Sequence, residues 1–491
     1  MRMMIPGIRV RHTMTLGLMA VVASATTAAP VVVKPGLPLI FPDDGQISTR
    51  TNIVRVFHPA KKDPKEMVPN GEVYGSVNRL DDGSLRMWYN CGYGMYVADS
   101  ADGGHSWTLP TLSSNGANRV HGDIHSPTVL LDRFEKDDAR KFKCIGTRIR
   151  MIGWNVLDRK YSGYYAMTSP DGIHWSAGRK VAEGWDTATL LQHPATGEFF
   201  LYHKDMKPLP GRDEIRRFVL VAHSTDFEHW STPEIALAPD EADDEAWIDT
   251  PDQRTDFYNM SVFAHAGGFI GFTTVFRIPW RIPLDKNLKF QHDSAFIMDD
   301  GDIEVQLATS ADGLHFVRTP GRRAMIPAGK TGERDVQIDG IAGGELLSDD
   351  KETWVYYCGF NLGHAMQFSK QPSKNAHVGI YRAFWRRWGF SSLGSSTRGI
   401  FVTKPLSLAT GDVRINSAPV FDPFRGAKGA PFVKLTVLAA DEDEVLAESD
   451  DIRGDQTLGK VVWMTTPPPT NRMIRLRIEL RASEVYAIEC L

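Results

Sequence analysis

Five acidic residues, Glu72, Asp123, Asp186, Asp256 and Asp339, stand at the same place in the chain's internal pattern, just ahead of a hydrophobic stretch that reads as the first strand of a repeated unit. Burying several carboxylates together is costly unless cations, metals or function compensate, so equivalent positions in every unit point to a shared pocket. Two such groups can divide acid and base work. One carboxylic acid protonates a leaving oxygen while a carboxylate activates water or attacks carbon, and a third nearby carboxylate raises the pKa of the acid by repulsion. Glycoside hydrolysis is the chemistry that needs this most directly.

Other side chains are placed to bind rather than react. His121 and His125 flank Asp123, and His203 with Lys204 ends a second strand in the third unit. Asp256 and Asp339 join them as candidate substrate-binding groups. The insertion Phe276-Arg-Ile-Pro-Trp-Arg-Ile-Pro283 offers Arg277 and Trp280 for gripping hydroxyls and stacking on a sugar ring. Glu304, which opens a third strand in Asp300-Gly-Asp-Ile-Glu-Val-Gln306, is an alternative general acid. No metal-ligand spacing such as His-Glu-x-x-His is present, and this chemistry requires no cofactor. A calcium ion on the axis is compatible with the acids but not demanded.

The units are marked by a phrase written four times: Ser100-Ala-Asp-Gly-Gly-His-Ser-Trp107, Ser169-Pro-Asp-Gly-Ile-His-Trp175, Ser224-Thr-Asp-Phe-Glu-His-Trp230 and Ser310-Ala-Asp-Gly-Leu-His-Phe316. Each follows a strand-like stretch and reads as a β-turn, with Gly supplying positive φ and Asp accepting a backbone N–H. The closing Trp or Phe is expected to fold back over its own sheet. A fifth unit, Gly340 to Tyr357 continuing into Val378 to Phe384, lacks the phrase.

Repeated all-β units of this length predict a five-bladed β-propeller over residues 38–392, with the acids converging on its axis. Short alternating strands then predict a small β-sandwich over 393–491.

Composition narrows the partners. In 491 residues, 56 Lys and Arg stand against 60 Asp and Glu, a net charge of −4 that gives no reason to expect nucleic acid. Arg2, Arg9 and Arg11, the apolar run from Met14 to Ala23, and the small residues up to Ala29 read as a signal peptide over 1–29. A secreted or periplasmic protein, with no membrane insertion after its removal, is expected. Of four cysteines, Cys91, Cys144 and Cys358 end second strands, where a small buried residue fits better than a metal ligand.

The inner-strand acids, the Ser-x-Asp-Gly-x-His-Trp turns, the long fourth unit and the trailing sandwich resemble the five-bladed propeller glycoside hydrolases, the group that includes families 32 and 43. The resemblance covers about residues 50–390. It implies three catalytic carboxylates from the first three inner strands, which by position touch Glu72, Asp123 and Asp186. The Asn-Asp-Pro-Asn nucleophile motif is lacking, as in an outlying branch. A furanoside-like poly- or oligosaccharide is the substrate that follows. Two other readings stay open: a carbohydrate-binding propeller without turnover, and a sialidase-like hydrolase.

Overall fold

The inner strands are apolar on both faces because each is sandwiched between two neighbours, the pattern of Ala188–Gln192, where Ala188, Leu190 and Leu191 are all buried. The computed structural model describes residues 31–491 except 113–116, 151, 153–157, 185, 211–214, 245–253, 284–296, 365–375 and 421–429. The segment 1–29 and the Trp280 side chain therefore lie outside the described residues. Nearly all the regular structure described is strand; the exceptions are a short helix, Glu241–Asp244, and a 3-10 turn, Asp138–Arg140. The all-β expectation holds.

Antiparallel pairing gathers the strands into consecutive units. The first runs Glu72–Arg79, Leu85–Asn90, Met95–Ser100 and Arg119–His121, and the second runs His125–Leu131, Phe142–Arg148, Gly163–Ser169 and Arg179–Ala182. The third is Ala188–Gln192, Phe199–Pro208, Ile215–Ser224 and Glu234–Leu237, and the fourth joins Arg254–His265, Gly268–Pro283, Ile297–Ser310 and the short Ala324–Ile326. A last unit, Gln337–Ile341, Glu352–Phe360 and Val378–Arg386, takes its outer strand, Lys61–Pro69, from near the start of the chain. The inner strands lie side by side in chain order, and the last returns against the first.

Hydrophobic clusters fill the joints between units. Trp88 and Val97 of the first meet Val129 and Cys144 of the second, and Tyr202 and Val221 of the third meet Phe257 and Val275 of the fourth. Each fully buried side chain of this size contributes roughly 1.5–3 kcal/mol.

The repeated phrase folds as a turn held by its own Asp. In each copy the Ser hydroxyl donates to the Asp carboxylate at 2.8–3.1 Å, and the same oxygen accepts the N–H of the His at 2.7–3.0 Å. Gly104, Gly172 and Gly313 have φ of +95°, +73° and +77°, and Phe227 occupies the matching place at +65°.

Phe316 lies against its own sheet at Gly271, as expected, and the closing aromatics also cross the joint to a neighbouring unit. The turn reaches over the joint, so Trp107 meets Tyr356 of the last unit edge-on at 5.3 Å and Phe316 meets Tyr202 of the third at 5.8 Å. The turn carbonyls are latched across the same joints. Trp88 Nε1 donates to Gly172 at 2.7 Å, Tyr202 Oη to Gly313 at 2.8 Å, and Tyr356 Oη to Gly104 at 2.6 Å. Tyr356→Phe, which strips partners from the Gly104 carbonyl and from Trp354 Nε1, is expected to cost about 1–3 kcal/mol in urea unfolding while leaving the pocket intact. An unchanged midpoint would remove the latch from the stability argument.

The C-terminal strands form a nine-stranded sheet built on Ser391–Thr403 and Ile474–Cys490, over a core that includes Leu393, Phe401, Leu435 and Ile478. Leu39–Ile40, Ile47–Thr51 and Val54–Phe57 belong to this sheet, pairing with its two long strands, although they lie in the stretch read from sequence as propeller. Cys144, Cys358 and Cys490 are buried and Cys91 is exposed.

Candidate active site

Three of the five acids converge. Glu72 opens the first inner strand, Asp186 stands two residues ahead of the third, and Asp339 sits within the last. Asp186 has φ +80°, a left-handed backbone that costs a non-glycine residue on the order of 1 kcal/mol and is tolerated where the surroundings fix it. What fixes it is Lys204, whose buried ammonium pairs with the carboxylate and lies 3.9 Å from the centroid of the Tyr258 ring. Thr147 Oγ1 also donates to the Asp186 carbonyl at 2.6 Å.

The environment drives the carboxyl groups apart. Burial pushes Glu72 up to about 7, with the charges of Asp339 and Asp186 adding to it and a 2.5 Å hydrogen bond from Asn90 Nδ2 opposing. Asp339 is pushed up to about 6, again first by burial, against the donors Gln337 and Tyr74. For Asp186 burial acts in the same direction but is outweighed by Lys204, His125 and Arg217, which hold it below the usual range. The pocket therefore holds a proton-bearing carboxyl beside an ionised one, the pairing that marks an acid and its counterpart.

Aromatic and imidazole groups complete the wall. Tyr74, on the same strand as Glu72, lies close enough to Asp339 and Tyr258 for its hydroxyl to bear on both. His125 packs 5.9 Å from the Tyr74 ring, with Ser126 Oγ on its Nδ1 at 2.9 Å, and burial lowers the pKa of its imidazole against the opposing charge of Asp186.

The remaining candidates are placed elsewhere. The second inner strand begins at His125, which leaves Asp123 outside it, exposed and accepting a 2.5 Å hydrogen bond from Tyr161. Asp256 is fully buried but held by Arg217 at 2.6 Å and by Arg216 and Arg254 at 3.3 Å. Glu304 accepts from Arg277 at 2.7 Å and from Gln306 at 2.6 Å, a pairing that opposes an acid role. His203 points away from its neighbour Lys204, as alternation along a strand requires, and packs against Tyr164 at 4.9 Å. Asn90, Lys204, Arg217 and Tyr258 are the groups that inner-strand counting alone does not reach. Among the described residues no group of three or more His, Cys, Asp or Glu is arranged to hold a metal ion.

No family model matches the chain, and a search of curated proteins finds no match. Among solved structures it is similar to a glycoside hydrolase at 13% identity, over 70% of this chain and 92% of that one, with a TM-score of 0.43. It is also similar to an α-L-arabinofuranosidase from Podospora anserina in complex with cellotriose (11% identity, 67% and 95% covered, TM-score 0.38). A third is a GH32 β-fructofuranosidase from Bombyx mori (10% identity, 89% and 94% covered, TM-score 0.39).

Proposed function

We propose that this chain is an exported glycoside hydrolase, a five-bladed β-propeller with a C-terminal β-sandwich, acting on a neutral, furanoside-like oligo- or polysaccharide. The observation that carries the reading is the split between Glu72, proton-bearing up to about pH 7, and Asp186, held ionised beside it. In this reading Glu72 gives its proton to the glycosidic oxygen as the bond to the anomeric carbon breaks. Asp186 supplies the negative charge that either attacks that carbon or takes a proton from the incoming water. Asp339 keeps the proton on Glu72 by repulsion, and Lys204 keeps it off Asp186.

Reducing-sugar release from a panel of arabino-, fructo-, xylo-, galacto- and gluco-oligosaccharides tests the reading. Binding without release across the panel would replace it with a carbohydrate-binding role. The pH profile then tests the roles. The rate should fall as pH rises through about 7, where Glu72 loses its proton. Asp339→Asn removes a negative neighbour, lowers the Glu72 pKa and should move that limb toward acid. A limb that stays in place would separate Asp339 from the acid.

A further inference from the structure

The mouth of the pocket carries an aromatic ring that the acid and base roles leave unused. Tyr93 stands in the loop 91–94 between the second and third strands of the first unit, with 60% of its surface exposed. Its ring centroid lies 5.7 Å from that of His125, and Asp186 and Glu72 both bear on its hydroxyl, so it borders the pocket that those carboxyls share. Among the described residues, the exposed aromatic rings are Tyr93 and Phe134. Phe134 lines a cavity of about 300 Å³ with Arg79, Leu131 and Gln192, at the opposite ends of the inner strands.

The loop is shaped to hold the ring. Asn90 and Met95 pair at its base, Cys91 N–H donates to the Gly94 carbonyl at 3.2 Å, and Gly92 turns the chain at φ +59°. A side chain at Gly94 would meet Tyr96 at 2.8 Å and Arg119 at 2.9 Å. An exposed Tyr with two rotatable bonds, seated on a tight loop, offers contact area at little entropic cost.

We propose that Tyr93 is the platform on which a neutral sugar ring stacks in the subsite beside Glu72; this rests on the hydrolase reading above. The apolar C–H face of the sugar lies on the aromatic face, and a hydroxyl reaches Nε2 of His125, the ring nitrogen that Ser126 does not engage. A neutral ring fits better than an anionic one because Asp186 is ionised at the pocket and the cations nearest to it, Lys204 and Arg217, already carry the carboxylates of Asp186 and Asp256.

Tyr93→Ala and Tyr93→Phe, assayed on the same oligosaccharide panel, test the platform. The exposed thiol of Cys91 supplies an independent readout, since the other three cysteines are buried: its labelling by N-ethylmaleimide should slow when a panel sugar occupies the subsite. Tyr93→Ala is expected to raise KM by about tenfold with little change in kcat and to abolish the protection of Cys91. Tyr93→Phe should keep both. Unchanged KM and protection in Tyr93→Ala would overturn the platform and leave the hydrolase reading standing. Protection that depends on Tyr93 without sugar release would overturn the hydrolase reading and leave a binding platform. Neither release nor protection would overturn both.

Discussion

Glu72→Gln is expected to slow hydrolysis of an unactivated glycoside by about 10²–10⁴-fold, the usual worth of a positioned general acid. The substitution keeps the size of the side chain and removes the proton that Glu72 is placed to give, so the loss should fall on kcat. The same variant should lose far less on a nitrophenyl glycoside, whose leaving group departs without protonation. That contrast separates the acid from a group that merely binds. Asp186→Asn should show the reverse pattern and be slow on both substrates, because the charge it supplies is needed whatever the leaving group. If Glu72→Gln is equally slow on both substrates and Asp186→Asn is the one rescued, the two roles are exchanged.

Lys204→Met is expected to destabilise the protein by about 3–5 kcal/mol near neutral pH, because it leaves Asp186 charged and buried with its closest cation gone. The pH dependence carries the diagnosis. In the wild type the folded-state pKa of Asp186 lies below its unfolded value, so its contribution to stability is present at neutral pH and is lost on acidification below the ordinary carboxylate range. In the variant, burial is no longer outweighed and the pKa rises above the unfolded value. The folded state then takes up a proton, and the deficit relative to wild type should shrink as pH falls. Urea unfolding at pH 5 and pH 8 reads this directly. Lys204→Met combined with Asp186→Asn should recover much of the loss, since it removes both halves of the pair. A deficit that does not change with pH would assign the loss to packing against Tyr258 instead.

The turn phrase made the repeat legible because Ser, Asp, Gly and His all serve one local structure, and local structure is what a sequence pattern records. Counting back from it reached Glu72, Asp186 and Asp339. It failed at Asp123, which stands two residues ahead of its strand just as Asp186 does, because that carboxylate is exposed and engaged by Tyr161 while Asp186 is largely buried against Lys204. It placed Asp256 correctly at an inner strand but could not foresee Arg216, Arg217 and Arg254 around it, since only the pairing of strands brings two of those guanidinium groups across from the third unit. His203 and Lys204 are neighbours in sequence on opposite faces, and which of them meets the acids depends on the register of the second strand in the third unit. The strands between residues 39 and 57 read as part of the repeat because nothing local says that their partners lie more than three hundred residues away.

The joint between the last unit and the first differs from the others in what it asks of the chain. Tyr356 of the last unit reaches Gly104 of the first, and within the last unit Lys61–Pro69 lies along Val378–Arg386, so both contacts join segments separated by most of the repeat. Glu72 and Asp339, the two groups that share the burden of holding a proton, come from opposite sides of that joint. A chain that ends between Asp339 and the strand Val378–Arg386 carries all the acids without the pairing that closes the last unit. Contacts this distant in sequence form late in folding. The site proposed to do the chemistry is therefore completed only by contacts between segments far apart in sequence.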